Sequence, residues 1–380
     1  MKVLQLVSDW KWTGPAEPML LGLVALRERG HDVRLACPEP PLPGERSLAE
    51  RARAAGIEPA LELDRGRGIH PFRDAPDGRR LRDLVEAQGT ELIHAWHSRC
   101  HALALRAAGM RPESRRLAVV RSVSRAEAPA AWPWNRWLFG PGCDGLHCPS
   151  PGSADAHAAL RPGRPTLGCL GAVDHPSLGR ADRSRGRRAL GLGARAPVVG
   201  IAARVQPHRR FDLLLAALER ARRREPSLRL LILGRGTRLD EVARRPAVRL
   251  GLRDHVVFGG YRTGDYADAL AAADLFTYVV PGSDGTCRAL LEAQALGLPA
   301  VVSRRAALPE IVVDGETGRV VDETPEAFAD AWLDALADRP RLARWGAAAR
   351  ARARAHFTPA RWAEDVEGLY ERALGEVRGG

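Results

Sequence analysis

Lysine is all but missing from this chain of 380 residues: Lys2 and Lys11 are the only two among 58 basic residues. The rest are arginines, spread through most helical patterns rather than collected in one tract. A formal charge of +12 invites a nucleic-acid reading, but no motif with nucleic-acid-binding spacing accompanies it. Nucleic acid is therefore not an expected partner, and an anionic membrane surface or a phosphorylated acceptor suits the charge better. Long apolar runs are also lacking, and none approaches the roughly 20 residues that span a bilayer. Met1 to Val7 reads as a first strand and meets Asp9 too soon for a signal peptide, so a cytoplasmic protein is expected, with at most peripheral membrane contact. Cysteine is sparse: six are scattered, and the one close pair, Cys143 and Cys148, has no second pair to complete a zinc site. Reduced, mostly buried thiols are the expectation.

What the chain does have is alternation. Short apolar runs alternate with longer helical patterns almost from end to end, which predicts parallel sheets built from strand-helix-strand units. Predicted strands in the first half run over 3–7, 32–36, 91–95, 117–121, 145–148 and 166–170. A polar, arginine-rich stretch over 176–196 then reads as a linker, although 187–192 has the pattern of a short helix. The alternation restarts with predicted strands over 198–202, 228–233, 256–258, 275–278, 300–303 and 319–321. Two doubly wound α/β domains follow, over 1–175 and 197–356, and the helical patterns from Pro325 onward have no strand between them.

In open parallel sheets ligands bind beyond the carboxyl ends of strands, where loops lead into helices. Two such loops in the second half carry chemistry. After 198–202 come Arg204 and Arg209, whose always-charged guanidinium forks suit a diphosphate. After 275–278 comes Ser283-Asp284-Gly285-Thr286-Cys287-Arg288-Ala289-Leu290-Leu291-Glu292, with a helix expected to start at about Gly285 or Thr286. The free N–H groups of that helix end would take a phosphate, with Asp284 beside it and Glu292 two turns further in. Gly234, after a third strand, marks a close-approach turn, and Tyr261 follows a fourth. In the first half, Gly14 lies in the loop after the first strand, and Trp96 and His97 follow 91–95 as candidates for sugar or acceptor contacts. Trp132-Pro133-Trp134-Asn135-Arg136-Trp137 suggests either a core helix with its lead-in or a segment that meets a lipid interface.

Taken in order, these residues resemble glycosyltransferase family 4, retaining enzymes of the GT-B fold. The resemblance runs over more than 300 residues. It rests on the glycine loop after the first strand, Arg29-Gly30-His31-Asp32-Val33, the His94 to His97 strand end, and Gly171-Ala172-Val173-Asp174. In the second half it rests on Arg204 with Arg209, on Asp284 with Glu292 across seven residues, and on Asp314-Gly315-Glu316-Thr317-Gly318. It implies two Rossmann-like domains facing a cleft, with the segment 357–380 forming a helix that returns to the first domain. It also implies an acceptor-binding first domain and a donor-binding second one.

By this resemblance Asp284 meets the transferred sugar, Glu292 the ribose, and Arg204, Arg209 and the N–H groups at Gly285, Thr286 and Cys287 the diphosphate of a nucleotide-sugar donor. Gly14, Trp96 and His97 serve a glycan, lipid-linked or small-molecule acceptor. No Asp-x-Asp pair occurs in the chain, which agrees with a metal-free, front-face transfer without a separate cofactor. The chain departs from the family pattern at Asp284 for Glu, Arg209 for Lys, Arg210 for Gly, Gly14-Pro15 for a glycine pair, and Arg304-Arg305-Ala306-Ala307 where a glycine pair is common. Two alternatives stay open, a nucleotide-sugar epimerase and a non-catalytic nucleotide-sugar-binding protein. A phosphorylase would need a lysine in the second half.

Overall fold

The computed structural model describes residues 1–12, 16–42, 44–66, 68–70, 72–109, 117–281 and 287–379. Gly14, Asp284, Gly285 and Thr286, all expected at the site, lie outside the described residues. The chain divides into two compact units: Met1–Ala172 with Pro359–Gly380, and Val173–Ser283 with Cys287–Thr358.

The first unit holds β1 (Lys2–Leu6), β2 (Asp32–Cys37), β3 (Leu61–Glu62), β4 (Leu92–Ala95), β5 (Ala118–Ser122), β6 (Gly145–Cys148) and β7 (Thr166–Gly168), in the order β3-β2-β1-β4-β5-β6-β7. All pairings are parallel. Residues of β4, β5 and β6 are buried throughout, as strands covered by helices on both faces must be. Alternate residues still sort to opposite faces. Val3, Leu92, Ala118 and Val120 join one core cluster, whereas Leu4, Leu6, Ile93, Ala95 and Val119 join another.

The cluster on the first face is completed by the C-terminal helix Pro359–Gly379, through Trp362, Val366, Leu369, Tyr370 and Leu374. This is the return to the first domain that the family resemblance implies. The helix lies close to Ala16–Glu28, where a Cβ on Gly22 would stand 2.2 Å from the Trp362 ring. Arg29 donates from Nε to Glu367 at 2.6 Å, and His31 Nε2 meets the same carboxylate at 3.0 Å.

The second unit holds β8 (Val198–Ala202), β9 (Arg229–Leu233), β10 (Val256–Gly260), β11 (Leu275–Tyr278), β12 (Ala300–Ser303) and β13 (Gly318–Val321), in the order β10-β9-β8-β11-β12-β13. These strands are parallel too. In both sheets the first strand is flanked by the second on one side and a later one on the other, so the order reverses beside β1 and beside β8. The loops after β1 and β4, and after β8 and β11, therefore lie at the two switch points.

Two features differ from expectation. The brief strand Leu61–Glu62 pairs with β2 at the sheet edge, through Ala36 and Cys37, and is too short to leave a pattern in sequence. The stretch 176–196, expected as a linker, is folded onto the second unit. Helix Arg183–Ala189 carries the buried Arg187, which donates to the carbonyls of Gly193, Ala194, Ala196 and Ala272 and to Asp274 at 2.9 Å. Its polar composition thus hides a guanidinium that staples the segment to the sheet, because five donors can satisfy several loop carbonyls at once.

Candidate functional site

After β8, Val205 enters the core and Pro207–Arg209 forms a single 3-10 turn. That turn swings Arg209 inward while Arg204 stays exposed. Arg209 Nη1 donates to the Val280 carbonyl at 2.8 Å and to the Tyr278 hydroxyl at 3.3 Å, so the loops after β8 and β11 are tied together. These partners carry no charge, and buried Nε has no partner among the described residues. A desolvated cation that the described residues meet only with dipoles retains its pull on an anion.

The helix after β11 begins later than its sequence suggests. It spans Arg288–Ala295, with Cys287 as N-cap in a left-handed conformation at φ 49°. Glu292, its buried acid, has a side chain 7% exposed, and both oxygens are engaged. Tyr266 donates its hydroxyl to Oε2 at 2.7 Å, and Arg288, one turn earlier on the same helix, donates Nε to Oε1 at 2.7 Å. Burial, reinforced by the Glu292 carboxylate beside it, pushes the Tyr266 hydroxyl far above the usual tyrosine range, so it remains a donor.

Gly234 and Gly236 are needed for packing as well as for any ligand. A Cβ on Gly234 would sit 2.0 Å from the Ala203 carbonyl oxygen, and one on Gly236 1.9 Å from that of Val205. The loop after β9 thus lies directly on the loop that carries Arg204. Beyond β10, Tyr261 is 55% exposed, and the Arg235 guanidinium lies 4.5 Å from its ring centroid. Arg204, Arg209, Gly234, Tyr261, Cys287 and Glu292 accordingly follow strands of one sheet at its carboxyl side.

In the first unit the expected acceptor residues part company. His97 caps the helix Ser98–Ala108 at the half-buried strand end, with the Ser8 backbone N–H 3.4 Å from its Nδ1. Trp96 instead packs inward: it stacks on His94 at 4.8 Å and on Trp362 at 6.3 Å, and its indole N–H goes to Gln5 at 2.6 Å. Its polar edge is used within the unit, so the structure gives Trp96 a packing role where a ligand contact was expected. Beneath it runs a buried chain from Tyr370 to His94, Ser122 and His147, with steps of 2.7, 2.7 and 2.8 Å. Burial lowers both histidines, His94 well below the usual range and His147 to about 4.

Residues 182–352 match the family model described as glycosyl transferases group 1, and residues 23–166 match that described as Glycosyltransferase Family 4. The chain belongs to glycosyltransferase family 4. This family 4 chain is 41% identical over 176 residues to a GDP-mannose-dependent alpha-(1-6)-phosphatidylinositol monomannoside mannosyltransferase of Mycolicibacterium smegmatis, a match covering 44% of this chain and 46% of the relative. It is 35% identical over 211 residues to a D-inositol 3-phosphate glycosyltransferase of Nocardia farcinica, over 52% and 45% of the two chains. The chain thus spans about half the length of the curated relatives it matches. A solved glycosyltransferase from Rickettsia africae aligns over 98% of each chain with a TM-score of 0.80 at 13% identity. Anabaena HepE in complex with UDP-glucose aligns over 98% of this chain and 100% of its own, with a TM-score of 0.78 at 20% identity. The fold of this family 4 chain is GT-B.

Among the described residues, three that are not glycine adopt positive φ: Arg210 at 57°, Cys287 at 49° and Ala306 at 46°. Arg210 and Ala306 stand where the family pattern favours glycine. All three follow carboxyl ends of β8, β11 and β12, so backbone strain is concentrated around the candidate donor loops. Tyr266, Tyr278 and Arg288 do not stand out in the sequence. Nor does Arg121 at the end of β5, which is 8% exposed and bonded to Ser98 and His101, each at 3.1 Å, with its guanidinium 4.5 Å from the Phe139 ring centroid. Arg288 is the one with a trace in sequence, its four-residue spacing from Glu292. The tyrosines leave none, because only the fold brings them to the carboxylate and the guanidinium.

Proposed function

We propose that this family 4 chain is a retaining glycosyltransferase that moves a sugar from a nucleotide-sugar donor to a hydroxyl of a glycan, lipid-linked or small-molecule acceptor. The observation that carries the reading is the pairing, on one sheet end, of a buried guanidinium at Arg209, without a carboxylate partner among the described residues, and a buried, hydrogen-bonded carboxylate at Glu292. Fixed positive charge suits a diphosphate, and a held carboxylate suits the ribose diol. Arg204 and Arg209 stabilise the diphosphate anion as the bond between the anomeric carbon and the phosphate oxygen breaks. The acceptor oxygen bonds to the same carbon on the same face, and its proton passes to the departing phosphate oxygen. Asp284 reads the hydroxyls of the transferred sugar, Gly285, Thr286 and Cys287 offer N–H groups to phosphate, and Tyr261 lies on the base side. His97 and Gly14 serve the acceptor in the first unit. The chemistry assigned to these side chains needs neither a metal nor a separate cofactor.

The names of the relatives make GDP-mannose the first donor to try. Donor consumption with inositol phosphate, phosphatidylinositol and simple sugar acceptors tests the reading, with UDP- and ADP-sugars alongside. Arg204→Ala and Glu292→Ala are each expected to abolish transfer in a folded protein. Unchanged turnover in either would remove these residues from the donor site, and donor turnover without any acceptor would favour an epimerase.

The same reading has the protein act on the cytoplasmic side, reaching a lipid-linked acceptor peripherally. No helix among the described residues is long and apolar enough to cross a membrane. Trp132 and Trp134 are 71% and 64% exposed, Trp134 stacks on Trp137 at 5.3 Å, and Arg136 lies between them in the helix Pro133–Phe139. Amphipathic rings beside a cation suit an anionic lipid interface. Flotation with vesicles containing anionic lipid checks this, with Trp132→Ala/Trp134→Ala expected to stay in the soluble fraction.

A further inference from the structure

Glu292 is held from two directions. Arg288 reaches Oε1 along the helix Arg288–Ala295, and Tyr266 reaches Oε2 from the first position of the helix Tyr266–Ala271, which follows the loop after β10. A free glutamate side chain samples many rotamers, and ordering it on binding costs conformational entropy. Here the carboxylate is already fixed, and each oxygen has given up one acceptor direction and kept another. Two adjacent acceptors with one open direction each match two adjacent hydroxyls. Tyr266 also links this carboxylate to the loop that carries Tyr261, while Arg209 bonds to Tyr278 on β11.

We propose that Tyr266 and Arg288 are positioning residues that fix Glu292 for a vicinal diol, so that this site selects ribonucleotides over 2′-deoxyribonucleotides through them. The inference rests on the donor-site reading given above and adds to it the residues that make the carboxylate selective. A site built to accept from two hydroxyls leaves an acceptor unpaired when one is missing, and the binding loss is then large. Without the Tyr266 hydroxyl, Oε2 is free to turn away, and selectivity falls.

Calorimetry with GDP, UDP and ADP, each beside its 2′-deoxy counterpart, tests this on the wild type, Tyr266→Phe and Arg288→Lys. The wild type is expected to prefer the ribonucleotide of whichever pair it binds. In Tyr266→Phe that preference is expected to shrink on the order of tenfold, mostly through weaker binding of the ribonucleotide. A purely structural tyrosine would lower thermal stability and leave the ratio in place. Arg288→Lys keeps the charge but loses the guanidinium geometry, and its preference is also expected to fall. An unchanged ratio in both variants, or a wild type that binds without preference for the ribonucleotide, overturns the inference and leaves the donor reading standing. A wild type that binds none of the three nucleotides overturns both.

Discussion

His94 Nδ1 and the Tyr370 hydroxyl lie 2.7 Å apart, joining β4 to the C-terminal helix across 276 residues of chain. Gln5 donates from Nε2 to the same hydroxyl at 2.9 Å, so the tyrosine gives its own proton to His94. His94 Nε2 then donates to Ser122, whose proton goes to His147 Nδ1. All these groups belong to the face that the C-terminal helix covers. Polar side chains are tolerated there because each is answered in turn, apart from His147 Nε2, which has no partner among the described residues.

Tyr370→Phe breaks the head of this chain and leaves His94 Nδ1 and the Gln5 amide buried without it. The expected cost is about 1–3 kcal/mol. Urea unfolding followed by tryptophan fluorescence measures it, and an unchanged midpoint would mean that water replaces the phenol.

The histidines set a pH dependence with a defined sign. Burial holds His147 at about 4, whereas the unfolded chain takes up its proton near the ordinary 6.5. Below that value the unfolded state binds more protons, so stability is fully present above pH 6.5 and is lost as the pH falls toward 4. For His147 alone the full loss amounts to ~3 kcal/mol, and His94 adds to it in the same direction. Chemical denaturation at pH 7.5, 6.5 and 5.5 checks the slope, which is expected to flatten in His147→Gln.

Trp362 fills the space above Gly22 and stacks on Trp96. Trp362→Ala opens a cavity at the docking face of the C-terminal helix, with an expected cost of about 3–5 kcal/mol. Hydrogen exchange is expected to accelerate along 359–379 before it does so in β1 and β4.

Ala306 carries the simplest of the three left-handed backbones, since its methyl group is exposed and little is lost with it. Ala306→Gly is expected to stabilise the second unit by about 1 kcal/mol. That corresponds to a rise of about 2–4 °C in its thermal midpoint. A lower midpoint would show that glycine's entropy outweighs the relieved strain.

On the donor reading, Arg209→Ala is expected to lower kcat on the order of a hundredfold or more. Arg209→Lys keeps a charge but loses the fork that holds the Val280 carbonyl, so its activity should fall between the two. Steady-state kinetics with GDP-mannose as the first donor distinguish them.

The strands were legible because each interior strand of a doubly wound sheet is a short apolar run between turns, as in Val198–Ala202 and Leu275–Tyr278. Leu61–Glu62 was not, since a two-residue edge strand has no run to read. Among site candidates, Arg209 and Glu292 were marked by residue type and by their place after a strand. Trp96 was marked in the same way, yet its side chain turned inward. His94 and Trp96, two positions apart, face the side of the sheet that a helix more than 260 residues later covers. The helix after β11 starts later than its glycines suggest because Cys287 takes a conformation that glycine favours, and sequence gives no warning of that.

Local pattern alone determined the alternation of strands and helices, the two doubly wound units and the loops at their carboxyl ends, because periodicity and turn chemistry act between near neighbours. Only the tertiary structure decided the company each polar group keeps: Tyr266 on Glu292, Tyr278 on Arg209, Tyr370 on His94. Those bonds join residues on separate elements, brought within 3.3 Å by packing and not by spacing along the chain.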